Sequence, residues 1–263
     1  PRWGRTEEGY GEDPFLIGEM TTAYTQGMAG DHPTYRRVIP TLKHFCANNN
    51  EKERNNCSSN VTPRTLREYY YRAFEASIVR GGTGSMMTAY NELNGVPACM
   101  NPDLKTLVKK QWGLEFIVTD GADFSQNVLS HHSHATHAEA LAACLKNGND
   151  VMTDEADMVA AAARDALDRG LLTEADIDRA VGNSLSGRFR LGEFDGDSCP
   201  YNTEPAETDT LLHRAVNRCA AMEQMCLLHN RGILPLQLQP DARVAVIGPL
   251  GNENYRDWYT GVS

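Results

Sequence analysis

The apolar positions of this chain fall into short runs, each ending in polar residues and each followed by a helical pattern. Val38-Ile39-Pro40-Thr41-Leu42 runs into Lys43-His44, and "SMMTAYN" (Ser85 to Asn91), "FIVTDGAD" (Phe116 to Asp123) and "NDVMTDE" (Asn149 to Glu155) repeat the form. Near-continuous apolar strands of this kind imply burial on both faces. Between them lie helices with recognisable starts. Thr62-Pro63 precedes "RTLREYYYRAFEASIVR" and Asn101-Pro102 precedes "DLKTLVKKQW", a polar cap followed by Pro in the first turn in each case. His137 to Lys146, Ala156 to Arg169 and the stretch from Thr173 carry further helices, and the alanine-rich "MVAAAARDALDRG" reads as one packed closely on a sheet. Strands alternating with helices imply parallel βα units.

Two α/β architectures accept this alternation, the closed (β/α)8 TIM-like barrel and the open doubly wound sheet. No G-x-G-x-x-G turn follows any of the strands, whereas several strands end in ionisable or hydrogen-bonding groups, which favours the barrel. About four units are visible, so the expectation is the C-terminal part of a barrel over residues 1–194. Residues 195–210, "DGDSCPYNTEPAETD" with its following Thr, read as a polar linker. Residues 211–263, with a helix from Leu211 to about Cys226 and the strand-like "RVAVIGP" (Arg243 to Pro249), read as the start of an α/β sandwich domain. The chain opens on Pro1 and both ends look cut.

Charge and composition narrow the partners. Lys and Arg number 25 against 35 Asp and Glu, a net charge of −10, with no basic cluster. Nucleic acid and anionic membranes are therefore excluded, and a neutral or cationic small molecule fits better. No apolar stretch approaches twenty residues, so no membrane span is expected. Seven scattered cysteines without a C-x-x-C pair fit a reducing compartment, and a cytoplasmic location is the expectation. The sequence leaves oligomeric state open, and a homo-oligomer is compatible with it.

Several stretches could carry chemistry. Asp120 closes an apolar strand before Gly121; from the residues alone it is equally a nucleophile or a turn former. The cluster "HHSHATH" (His131, His132, His134, His137) lacks a recognised ligand spacing and reads as a loop entering a helix. The acidic "TEEGYGED" lacks a calcium-loop pattern. No metal or cofactor is expected.

The stretches "PRWGRTEEGYGEDPFLIGEM", "KHFCANNNEKER", "GSMMTAYNELNGVPA", "QWGLEFIVTDGADF" and "LLHNRGILPL" with "VAVIGP" resemble, in order and spacing, glycoside hydrolase family 3, the retaining β-glucosidase and β-xylosidase group. The resemblance spans essentially the whole chain and covers a middle slice of a typical member. It implies an exo-acting β-glycosidase without a cofactor, cleaving terminal β-D-glucosyl residues from β-linked oligosaccharides or aryl and alkyl glycosides, with β-xylosidase activity as the alternative. It also implies a set of site residues. Asp120 would be the nucleophile; Arg5, Lys43, His44 and Arg54 would reach sugar hydroxyls; Met87 and Tyr90 would line the same subsite. Adjacent strand residues point to opposite sides, so the resemblance further implies an irregular strand end at Lys43-His44. Gly121 departs from the Trp that many members carry.

Retaining cleavage needs a general acid about 5–5.5 Å from the nucleophile. One branch of the family takes it from a K-H-F-P-G-H-G loop, which Cys46-Ala47-Asn48 replaces here; the other takes a Glu from the sandwich domain, so no acid/base residue is assigned in this chain. Glu92, Glu115 and Asp123 are read as solvated loop or capping residues. The asparagines of the loop are read as holding its backbone in one shape. Two rivals stay open at this stage: a carbohydrate-binding remnant without turnover, and a different barrel enzyme, such as an aldolase using Lys43 as a Schiff base.

Overall fold

A computed structural model describes residues 3–202, 209–252 and 259. The chain divides into two compact units, Pro1–Glu204 and Pro205–Ser263. The first is α/β and carries the candidate chemistry.

Helix α1 (Pro14–Ala29) opens it. It went unread in the sequence although its start is regular: Asp13 accepts from the Phe15 N–H at 2.8 Å and Pro14 takes the first turn. Strand β1 (Thr41–Phe45) follows. It begins later than Val38 because Pro40 has no N–H to give a ladder. Then come β2 (Ser58–Ser59), the helical segment α2 (Pro63–Thr65), a π-helical turn (Leu66–Tyr70) and α3 (Arg72–Val79). Strands β3 (Ser85–Thr88), β4 (Glu92–Leu93) and β5 (Val96–Pro97) lead to a second π-helical stretch (Leu104–Lys109) and to β6 (Phe116–Val118). Helices α4 (Asp123–Leu129), α5 (His137–Lys146), α6 (Ala156–Asp168) and α7 (Glu174–Arg190) complete the unit. As the sequence implies, Thr62 caps its helix; Thr173 caps α7 within a full capping box with Asp176.

The main sheet is parallel and in chain order, β1-β3-β6, with Val151 bridged to Val118 as the next rung. The stretch "NDVMTDE" thus contributes a single bridge rather than a strand. Sequential parallel strands place their C-terminal ends along one edge, which positions Lys43, His44, Tyr90 and Asp120. A second small sheet, β2-β4-β5, sits after β3. Its hairpin turns at Asn94-Gly95, both with positive φ (52° and 80°), the dipeptide such a tight turn favours. Asn94 also exchanges hydrogen bonds with Val61 at 2.8 and 2.9 Å.

Two apolar clusters hold the sheet. Phe45, Tyr71, Met86, Leu104 and Ile117 form one, with the Phe45 and Tyr71 rings stacked at 5.0 Å. Phe124, Leu141, Cys144, Ala162, Ala166 and Ala180 form the other, where small alanines let α6 approach α5 closely. On the opposite flank, a Cβ on Gly18 would meet the Ala76 methyl at 2.9 Å, so glycine is what lets α1 lie against α3. Glu115, before β6, pairs with Arg36 at 2.9 Å and with Arg190, tying α7 to the sheet.

Part of the stretch read as a linker packs on this unit. Cys199 is buried, and Asn202 donates to the Gly192 and Gly196 carbonyls at 2.9 and 3.1 Å; residues 203–208 lie outside the described residues. In the second unit, α8 (Leu211–Glu223) forms as read, with Thr210 and His213 making a capping box. Arg243 to Pro249, read as a strand, takes no regular structure and is exposed. A strand requires a neighbour to share its hydrogen bonds, and the described residues of this unit form no sheet. No described helix is long and apolar enough to cross a membrane.

Asp150 is a buried junction of the first unit. Its side chain is fully buried, pairs with Lys109, accepts from the Ile117 N–H at 2.9 Å and from Asn183 at 3.0 Å. It therefore joins the π-helical stretch, β6 and α7. Removing one partner of such a pair leaves the other charge buried and unmatched, at about 3–5 kcal/mol. Asp150→Ala should lose about 3 kcal/mol or more in urea denaturation, and a loss under about 1 kcal/mol would contradict this role.

Candidate active site

At the C-terminal edge of the sheet, β1 ends in Lys43-His44, β3 runs on into Tyr90, and β6 runs on into Asp120. The register of β1 against β3 shifts between Leu42 and Phe45. This irregularity, as the resemblance implies, lets two adjacent residues serve one region. His44 reaches across to Asp120, with Nε2 at 3.1 Å from Oδ2, while Lys43 places its Nζ 3.2 Å from Glu8. The carboxylate can only accept, so His44 carries its proton on Nε2.

Asp120 is held from both sides. Its Oδ1 accepts from the Gly121 N–H at 2.7 Å, and its side chain remains 18% exposed, open to an incoming group. Burial alone raises its pKa. The His44 hydrogen bond, the Gly121 N–H and the charges of His44 and Arg5 outweigh that and hold the carboxyl below the usual aspartate value. Asp120 is therefore ionised at neutral pH. A Cβ on Gly121 would meet Tyr90 Oη at an ordinary 3.9 Å, so the backbone does not demand glycine there.

Tyr90 donates to the Gly121 carbonyl at 2.6 Å and so braces the turn that carries Asp120. Burial first, then the neighbouring Asp120 charge, pushes its pKa up to about 12, so the phenol keeps its proton. Arg54 lies over the Tyr90 ring, 4.5 Å from its centroid. Met87 is half-buried on β3, one residue on from the fully buried Met86 and therefore on the other face of the sheet. The structure thus gathers Asp120, His44, Tyr90 and Arg54 through direct contacts, with Arg5 acting on Asp120 by charge and Lys43 joined to Arg5 through Glu8.

Several residues that support this edge were not read from the sequence. Glu8 binds Arg5 through two hydrogen bonds, at 2.6 and 2.7 Å. Glu51 accepts from Trp3 Nε1 at 2.7 Å and from Arg54 at 2.8 Å. Asp154 accepts from the Phe124 and Ser125 N–H groups at 3.2 and 3.1 Å, capping α4 from another segment. His131, weighed as a metal ligand, instead donates through Nε2 to the Tyr90 carbonyl at 2.8 Å. Only Glu8 and Glu51 left a local signal, each an acid three residues from its arginine. Among the described residues no group of His, Cys, Asp and Glu could hold a metal ion. Of the loop asparagines, Asn50 does brace the backbone, binding the Lys52 carbonyl and N–H at 2.9 and 3.3 Å, whereas Asn48 is buried.

Asp123 corrects the sequence reading. It is 1% exposed, neither solvated nor the cap of α4, and accepts from Thr88 Oγ1 at 3.2 Å. Burial, with the charges of Cys99, Asp120 and Asp154 around it, pushes its pKa well above the usual aspartate value. Glu115 is equally engaged between two arginines, and Glu92 lies 3.6 Å from His131.

Comparison with known proteins matches this chain to a family. The family model described as the glycosyl hydrolase family 3 N terminal domain matches residues 1–186. The chain is similar to beta-D-xylosidase 1 of Arabidopsis thaliana, 35% identical over 95% of this chain and 33% of the relative. It is 33% identical to a beta-xylosidase of Formosa agariphila, over 96% of this chain and 37% of the relative. Among solved structures, a GH3 exo-beta-xylosidase in complex with a xylobiose aziridine activity based probe superposes with TM-score 0.83 and 29% identity, over 92% of this chain and 32% of that one. Beta-glucosidase 3B of Thermotoga neapolitana, in complex with α-D-glucose, gives TM-score 0.75 and 30% identity, over 90% of this chain and 31% of that one. The chain spans about a third of the length of these relatives. With more than two thirds of its residues matched by the family model, this chain belongs to glycosyl hydrolase family 3.

Proposed function

We propose that this chain carries the nucleophile side of a retaining, exo-acting β-glycosidase site, with Asp120 as the nucleophile. The observation that supports this best is the Asp120 carboxylate itself: ionised, partly exposed, and clamped by His44 and the Gly121 N–H at the edge where three strands end. In the first step an Asp120 oxygen attacks the anomeric carbon, the C1–oxygen bond to the leaving group breaks, and a glycosyl ester forms. Water then cleaves the ester and releases the sugar with net retention. In this reading His44, Lys43, Arg5 and Arg54 reach sugar hydroxyls, and Tyr90 with Met87 forms the wall of the subsite. Contacts to hydroxyls that tighten as positive charge grows on the sugar ring lower the barrier.

The general acid comes from elsewhere in the protein in this reading, because Glu92, Glu115 and Asp123 are committed to other partners. The domain plan is part of the same proposal: a barrel portion over 1–194, a linker over 195–210, and the beginning of a sandwich domain over 211–263. The sugar is a terminal β-D-xylosyl residue, since the curated relatives above are β-xylosidases. A terminal β-D-glucosyl residue is the second reading, favoured by the glucose complex of the Thermotoga enzyme.

Two experiments test the reading. Incubation with 2-deoxy-2-fluoro aryl β-xyloside or β-glucoside, whose leaving groups need no acid, should attach one sugar to the peptide holding Asp120, as located by mass spectrometry. Asp120→Asn should abolish the label, the better reagent identifies the sugar, and a label on another residue would overturn the assignment. His44→Ala should slow labelling at neutral pH about 10- to 100-fold, the worth of a hydrogen bond to a charged group. Because His44 lowers the Asp120 pKa while burial raises it, the variant's rate should begin to fall at a higher pH than the wild type's as the solution is acidified. An unmoved acid limb would contradict the role given to His44.

A further inference from the structure

Lys43 and Arg5 bring two positive charges to one edge of the sheet, beside a nucleophile that must stay reactive. Arg5 already acts on Asp120 through its charge, and Lys43 is the direct neighbour of His44, whose ring touches Asp120. A guanidinium or ammonium that settled on Asp120 would stabilise the carboxylate as an ion pair and block its approach to carbon. Glu8 faces both cations. Glu8 takes Arg5 through Nε and Nη2 at 2.6 and 2.7 Å, the paired geometry that suits guanidinium and carboxylate, and meets Lys43 Nζ at 3.2 Å. Its place is rigid. Glu8 ends a 3-10 turn closed by its own N–H to the Arg5 carbonyl at 3.0 Å, and Thr6 Oγ1 ties that turn to the Trp3 carbonyl at 2.6 Å.

We propose that Glu8 is a positioning residue of the sugar site, orienting the Arg5 guanidinium and the Lys43 ammonium toward the sugar and keeping both off the nucleophile Asp120. The inference rests on the function proposed above and adds a residue to it. Arg5, Lys43 and Glu8 then form one unit of net charge +1 instead of a bare pair of cations. The side chains of Glu8 and Arg5 are 20% and 14% exposed, so the pair is shielded from water on most sides yet reachable by a ligand. The Glu8 hydrogen bonds with Arg5 and Lys43 outweigh the cost of burial and hold its pKa below the usual glutamate value, so the unit keeps this charge at neutral pH.

The test compares wild type, Glu8→Gln and Glu8→Asp in the natural-length protein, reading inactivation by 2-deoxy-2-fluoro aryl β-xyloside against concentration and pH. Four charged or titratable groups, His44, Arg5, Tyr90 and Asp123, act on Asp120, and only the Arg5 and Lys43 side of the site changes in these variants. With Gln at position 8 the two cations lose the negative charge of Glu8. The half-saturating reagent concentration should rise about five- to tenfold, and the acid limb of the inactivation rate should move to lower pH, because added positive field stabilises ionised Asp120. A purely structural role would lower the rate at every pH without moving the limb. Glu8→Asp keeps the charge but shortens the reach to Lys43, so it should keep the wild-type limb while weakening binding. Should Glu8→Gln fail to fold, the Asp variant alone decides, and unchanged binding in it overturns the proposal. Wild type labelled on Asp120 with Glu8→Gln identical in binding and limb overturns the role of Glu8 alone, whereas wild type unlabelled on Asp120 overturns the functional reading and this inference with it.

Discussion

The contact between His44 and Asp120 is the constraint on which the site depends. It spans from the end of β1 to the residue shortly after β6, the two strands that flank β3. It exists only because parallel strands in chain order finish along one edge, and because β1 slips its register at its end. A carboxylate buried this far would drift toward its neutral form if left alone. The imidazole and the Gly121 amide reverse that tendency, and the result is an ionised oxygen presented to solvent.

The scaffold keeps the edge in shape by placing most of its charge pairs away from it or around its rim. Asp150 locks β6 to α7 and to the π-helical stretch, and Glu115 ties the start of β6 to α7 through Arg190 and to the segment before β1 through Arg36. On the catalytic edge the carboxylates sort by environment. Asp120 is charged and partly open. Asp123, three residues on and sealed under Thr88, is driven toward the neutral form. Two acids so close could not both ionise cheaply, and burial of one relieves the other. Tyr90 then holds the Asp120 turn through the Gly121 carbonyl, and His131 in turn holds Tyr90 through the Tyr90 carbonyl.

Much of this was legible in the chain. The alternation of apolar runs and capped helices read through to a parallel α/β unit, since burial on both faces writes itself as continuous apolar strands. The Asp120, His44 and Tyr90 group was implied by the family resemblance, since its place at strand ends alone left Asp120 equally a turn former. What escaped reading depends on long-range partners. Helix α1 has a weak apolar stripe and buries only Gly18, Thr25 and Ala29, so only its Asp13-Pro14 start marked it. Asp123 looked like a cap because Asp commonly is one, but the cap came from Asp154, thirty residues away in contact with the Phe124 N–H. The segment Arg243 to Pro249 has a strand's composition and no strand, because composition expresses a preference for a pleated surface that only a neighbouring strand can supply.

The central claim, that Asp120 is held ionised by its contacts in spite of burial, is tested most directly by following the carboxyl carbon of Asp120 by NMR through an acid titration. The midpoint should fall below that of an ordinary aspartate. A midpoint at or above the ordinary value would mean that burial prevails over His44 and the Gly121 N–H, and would contradict the account.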